Sequence, residues 1–212
     1  MNAHQTNILN ALEIQHWTLR EQISSPANIE TELHDLRQKV SVCTACSLHC
    51  SRTQTVFGEG NPHAKLMFIG EAPGFNEDKQ GKPFVGRAGK LLTEMLKAIQ
   101  LTRDEIFIAN VLKCRPPNNR DPQADEIALC TNYLNQQIQI IQPNLLVALG
   151  RVSAHYLLQT NQTLERMRKE SHRYGPSQIP LIVTYHPAYL LRNPADKKKS
   201  YEDLLKIKAM SS

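Results

Sequence analysis

The chain has 212 residues, 41% of them hydrophobic and 21% charged, with a net charge of only +5, so it can bury one sizeable core and is not a disordered polyelectrolyte. No stretch approaches the roughly 20 apolar residues of a membrane helix, and the first thirty residues lack an apolar signal region, so a cytoplasmic, nucleoid-associated protein with no membrane partner is expected. Charge is uneven, −2 over residues 1–42 and +6 over residues 151–212; the basic surplus suits a polyanion and equally suits a solvated helix face.

In chain order, Ile8, Leu9, Leu12 and Trp17 share one helical face, Ser24-Ser25-Pro26 interrupts it, and Ile29, Leu33, Leu36 and Val40 repeat at helical steps. Residues 1–41 therefore read as a helical extension suited to a partner protein, and residues 42–212 as the main domain. Leu66 to Ile69, ending at Gly70, predicts a buried strand. Leu91, Leu92, Met95, Leu96 and Ile99 form a helical stripe, and Thr102 with Glu105 forms a capping box ahead of a second strand over 106–112. Asp121-Pro122 predicts a helix start, with Ile127, Cys130, Leu134, Ile138 and Ile141 inward. A third strand over 145–149, a short helix through Leu158 and a fourth strand over 179–184 follow. Asn193-Pro194 opens a last helix, with Tyr201, Leu204 and Leu205 expected to face inward.

This β-α-β-α-β-α-β-α order with short, nearly all-apolar strands predicts an α/β fold, a mainly parallel sheet between helix layers. Functional groups in such sheets gather beyond the carboxyl ends of the strands. The chain places Gly70-Glu71-Ala72-Pro73-Gly74, Asn110 and His186-Pro187 there. The glycine loop lacks the Gly-Lys-Ser/Thr of a triphosphate loop and the spacing of a dinucleotide fingerprint, so a nucleotide cofactor is not expected.

Five cysteines, an odd number without a secretion signal, argue against a disulfide framework. Cys43 and Cys46 form a C-x2-C pair, and with Cys114 and Cys130 they could close around one Zn²⁺ or one [4Fe–4S] cluster; ligand type alone leaves both open, as it leaves open two ordinary small core residues. Cys50 falls outside the pattern.

Four stretches, Gly70-Glu71-Ala72-Pro73-Gly74-x-x-Glu77-Asp78, Gly81-Lys82-Pro83-Phe84-Val85-Gly86-Arg87-Ala88-Gly89, Asn110-x-x-x-Cys114-Arg115-Pro116-Pro117 and His186-Pro187-Ala188-Tyr189-Leu190-Leu191-Arg192, resemble the family 4 uracil-DNA glycosylases. The resemblance runs in register from about Val42 to Leu205 and leaves the N-terminal extension uncovered. It implies a three-layer α/β/α sandwich around a four-stranded mainly parallel sheet, a monomer acting on DNA containing uracil, and a [4Fe–4S] cluster on Cys43, Cys46, Cys114 and Cys130. A repair or replication protein would be the partner of residues 1–41.

The same resemblance distributes the chemistry. A uracil drawn out of the stack needs an aromatic platform, which Phe84 would supply, although by itself Phe84 reads as a core residue. A side-chain amide can donate to O4 and accept from N3–H, a polarity cytosine reverses, and Asn110 matches that reader; alone it reads as an asparagine in a turn. His186 would donate to O2 as charge gathers there. Where the best-known uracil glycosylases carry an aspartate this chain has Ala72, so the water falls to a glutamate or to backbone; Glu71 is assigned to it and Glu77 to uracil C5, against thymine's methyl group. Ala72 and Gly74 would border the base. Leu190 and Leu191 are expected to wedge into the duplex, and Arg192 with Lys197 to Lys199 to hold phosphates. Two other readings are a glycosylase of broader deaminated-base specificity and a uracil-DNA binding protein with little turnover. The latter sits poorly with the short, histidine-free Arg115–Arg120 loop. A non-catalytic zinc module is the third.

Overall fold

A computed structural model describes residues 26–211; the helix expected around Ile8, Leu9, Leu12 and Trp17 lies outside the described residues. Six strands form one sheet: β1 (Glu59–Gly60), β2 (Leu66–Gly70), β3 (Phe107–Asn110), β4 (Leu145–Leu149), β5 (His172–Tyr174) and β6 (Ile179–Thr184). Their order is β1-β3-β2-β4-β6-β5. The inner four, β3, β2, β4 and β6, are parallel, and the two short edge strands are antiparallel to their neighbours. The four expected strands are these inner ones. The edges went unread because Glu59-Gly60 and His172-Arg173-Tyr174 have no apolar run, as suits edge strands that touch the core on one side at most.

Period-two alternation sorts the strand side chains onto two faces. Met67, Ile69, Phe107, Ala109, Leu146 and Ala148 face one core, together with Leu33, Leu36 and Val40 of α1 (Pro26–Ser41) and Leu134, Ile138 and Ile141 of α4 (Ala124–Ile141). Leu66, Phe68, Ile108, Leu145 and Val147 face the other, together with Leu92, Met95 and Leu96 of α3 (Arg87–Ala98) and Leu204 and Ile207 of α8 (Lys197–Ser211). Each fully buried residue of this size contributes about 1.5–3 kcal/mol, so both faces of the central strands are stabilising and the sandwich is three-layered. Helix α1 packs on α4 rather than standing off the domain.

Four expectations need correction. Helix α4 starts at Ala124, not at Asp121, because Gln123 and Glu126 form the capping box there and Glu126 is fully buried under Arg120. Three short helices were not foreseen: α2 (Phe75–Gln80), α6 (Leu164–Lys169) and α7 (Pro187–Arg192), each of six residues and too brief for a periodic signal; α5 is Arg151–Leu158. On α8 the inward residues are Ser200, Asp203, Leu204 and Ile207, whereas Tyr201 and Leu205 are exposed. The buried Asp203 explains the shift of face: it accepts from Arg168 at 2.7 Å and from Thr184 at 2.9 Å, and this ion pair turns the helix. Finally, Leu190, expected on the surface as a wedge, is 1% exposed in the second core.

Candidate active site

A cavity of about 450 Å³ opens beyond the carboxyl ends of β2, β3 and β6. Glu71, Ala72, Gly74, Glu77, Phe84, Asn110, His186 and Arg192 all border it. The sequence had not singled out Asn119, Arg120 and Tyr189, which also line it; Tyr189 lies inside a quoted motif, but nothing in its spacing marks it. Leu190 is excluded by burial, and Leu191, 36% exposed, stands beside Arg192 at the surface. Lys199 is held by Asp196 at 2.9 Å, which ties one of the three expected phosphate contacts to the protein.

Asn110 ends β3 in register with Gly70 of β2. It is 2% exposed, and among the described residues its Oδ1 is the buried side-chain polar atom without a hydrogen-bond partner. A native fold rarely leaves such an atom unpaired unless a ligand meets it. A β carbon on Gly70 would lie 2.3 Å from that oxygen and 2.7 Å from Phe84 Cζ, so glycine is what leaves the space open.

Phe84 sits in the loop between α2 and α3 with φ of +54°, a left-handed conformation that costs a side-chain-bearing residue about 1–3 kcal/mol. Three groups hold it there. Glu77 Oε1 accepts from the amides of Val85 and Gly86, both at 2.9 Å. Arg103 donates to the carbonyls of Pro83 at 2.8 Å and Phe84 at 3.3 Å. Gly89 lets α3 approach so closely that a β carbon would fall 1.7 Å from the Phe84 carbonyl oxygen. The Phe84 ring, 7% exposed, faces His186 at 5.6 Å between ring centroids.

His186 caps α7: its Nδ1 accepts from the Ala188 amide at 3.1 Å. A nitrogen that accepts carries no proton, so the neutral ring bears its hydrogen on Nε2. Burial, with Arg192 adding to it and Glu77 opposing, pulls the imidazole down to about 4, so it is uncharged at neutral pH. Its neighbours are tied to one another and to the surrounding helices. Tyr185 and Tyr189 stack at 5.2 Å, and their hydroxyls donate to Glu165 and Asp196, both at 2.8 Å.

Glu71 follows β2 directly. Burial, reinforced by the charge of Asp121 and opposed by Arg151, raises its carboxyl to about 7. The cavity thus holds a neutral donor, a carboxylate poised near neutrality, an unpaired acceptor and an aromatic face. That set suits a flat, polar, uncharged ring that takes up negative charge during reaction.

The four expected cysteine ligands border a second hollow on the flank of α4. Cys114 and Cys130 are buried, Cys43 and Cys46 partly so, and Cys50 is exposed away from them beside His49. Arg52 donates to Cys114 Sγ at 3.1 Å and the Lys113 amide to Cys130 Sγ at 3.2 Å. Lys113 itself is buried, and burial pulls it down to about 8.

The model of the uracil DNA glycosylase superfamily matches residues 57–206, most of the chain. The chain belongs to that superfamily. It is 48% identical to the type-4 uracil-DNA glycosylase of Sulfurisphaera tokodaii over 84% of each chain. Against the type-4 enzyme of Thermotoga maritima it is 44% identical over 81% of this chain and 91% of the relative. Against that of Archaeoglobus fulgidus it is 43% identical over 82% and 91%. The residues matched by the superfamily model include all those that line the cavity. No helix among the described residues is long and apolar enough to cross a membrane.

Proposed function

We propose that the chain hydrolyses the N-glycosidic bond of uracil in DNA, the first step of base-excision repair. The observation that carries the reading is the unpaired Oδ1 of Asn110 at the floor of a cavity open to one planar ring. Uracil N3–H fits that acceptor, and the amide's other end donates to O4. Cytosine offers the reverse polarity and would leave both partners unmatched.

Base stacking on Phe84 stabilises the everted nucleotide by about 1–3 kcal/mol. As the N1–C1′ bond breaks, the electron pair moves onto the base and charge builds on O2. The Nε2–H of neutral His186 meets it, and this bond strengthens toward the transition state. Glu71, ionised, holds the water that attacks C1′ and takes its proton; returning that proton to the departing uracil anion leaves an abasic sugar, free uracil and Glu71 ionised again. Glu77 has two duties: Oε1 keeps the Phe84 loop in place, and Oε2, beside Gly74, is left for the C5 edge, where thymine's methyl would be refused. Ala72 and Gly74 line the cavity and would border the base. Arg192, Lys197 and Lys198 supply the positive surface for phosphates, with Leu191 as the residue that fills the vacated stack.

The donor set of the second hollow fits an iron–sulfur centre: four thiols, N–H donors to two of the sulfurs and two cations beside them. Cys43, Cys46, Cys114 and Cys130 would hold a [4Fe–4S] cluster, which when bound supplies a rigid cross-link between α1, β3 and α4. A brown protein identifies the iron–sulfur cluster; a colourless one excludes it, and metal analysis then separates zinc from an empty site. Because α1 belongs to the core, the segment assigned to a repair or replication partner shortens to residues 1–25, and the domain is assigned to monomeric action. Incubation with an oligonucleotide carrying one uracil, followed by alkali, tests the main reading. Strand breakage at the uracil position, absent for thymine, is expected; an intact strand overturns it.

A further inference from the structure

Between the cavity and the cysteines lies a cation with no carboxylate partner. Lys113 is 1% exposed, and its Nζ donates to the Asn110 carbonyl oxygen at 2.8 Å and to Gln137 Oε1 at 2.6 Å. Gln137, also buried, donates in turn to the Phe57 carbonyl at 2.9 Å. These are neutral acceptors. Lys113 also lines the hollow of the four cysteines, and its main-chain amide donates to Cys130 Sγ at 3.2 Å. A buried ammonium facing only neutral dipoles is among the costliest groups a fold can hold. Four thiolates around either a zinc ion or an oxidised [4Fe–4S] core carry roughly two net negative charges, so the counter-charge is the same whichever metal is bound.

We propose that Lys113 is a positioning residue that ties Asn110 to the cysteine centre: its side chain fixes the Asn110 main-chain carbonyl, and the metal-bound thiolates balance its charge. The inference rests on the glycosylase reading and deepens it. It gives a metal centre a task in a reaction that moves no electron. Without the tetrathiolate the ammonium loses its partner, and the carbonyl that sets the amide's position loses its anchor.

The test compares wild-type holoprotein with Lys113→Met. The variant is expected to excise uracil about tenfold more slowly or worse under single-turnover conditions. It should keep its visible spectrum and show a lower cluster reduction potential, since a neighbouring positive charge is gone. If the metal is zinc, faster release to a chelator replaces the potential. Gln137→Met, which keeps the ammonium and removes one of its two acceptors, should slow excision less and leave the potential unchanged. An unaltered rate in Lys113→Met overturns the inference, and so does a slowed rate with an unaltered potential and chelator release. Should Lys113→Met not fold, an unaltered rate in Gln137→Met overturns it. Wild type that leaves uracil in place defeats the glycosylase reading itself; active wild type with an equally active Lys113→Met defeats only the role of Lys113.

Discussion

The rings of Phe84 and His186 lie 5.6 Å apart and tilted by 35°, although 102 positions separate them in the chain. One belongs to a strained loop beside α3, the other is the residue that caps α7. Their meeting defines the cavity mouth: an aromatic face on one side, a proton donor without charge on the other.

Removing the reader is expected to be costly. Asn110→Ala should slow single-turnover excision on the order of 10–100-fold, the loss that follows when buried polar edges of a bound base go unpaired. Melting should change little, because Oδ1 has no partner within the protein to lose. A variant that keeps the wild-type rate would remove Asn110 from base recognition.

Acidity should gate the rate through Glu71. Its carboxyl is raised to about 7, so the ionised form that holds water grows tenfold per pH unit below neutrality and levels off above it. Glu71→Gln should be slow and nearly flat over the same range. His186, at about 4, contributes no step above pH 5. Stability should run the other way. The folded pKa lies above the unfolded one, so the stabilising contribution is complete below the ordinary carboxylate value near 4.5 and is lost as pH rises through about 7. At pH 8 Glu71→Gln should therefore melt above wild type.

Filling the floor should close the cavity. In Gly70→Ala the new methyl meets Asn110 Oδ1 and the Phe84 ring, and excision should fall at least as far as in Asn110→Ala. Titration with free uracil, followed by intrinsic fluorescence or NMR, would show whether binding is what is lost.

Leu190 and Leu191 should separate cleanly. Leu190→Ala opens a void in the second core and is expected to cost about 2–5 kcal/mol in denaturant unfolding. Leu191→Ala should unfold like wild type and lose activity mainly on duplex substrate, where the gap left by the everted base must be filled.

These pairs show where the sequence was legible. The inner strands declared themselves because residues buried on both faces must be apolar, and 66–70 and 145–149 are. Residues whose position follows from adjacency to a strand end, Glu71, Asn110 and His186, were legible for the same reason. What escaped notice depends on partners distant in the chain. Leu190 and Leu191 look alike until α7 is set against α3, and Asp203 reads as a solvent-facing residue until Arg168, 35 positions earlier, is placed beside it. Lys113 carried no mark at all, since a lysine after a strand normally reaches water.

The pairing of Gly70 with Asn110 has a last consequence, for how such a protein can change over time. Neighbours on parallel strands trade sides whenever one slips by a single position. One residue inserted or deleted within β2 or β3 would bring Ala109 or Val111 opposite Gly70 and aim the amide into the opposite helix layer. Length variation is therefore tolerable in the outer loops and ruinous inside these two strands, so descendants inherit the spacing of the sheet and the choice of base as one trait.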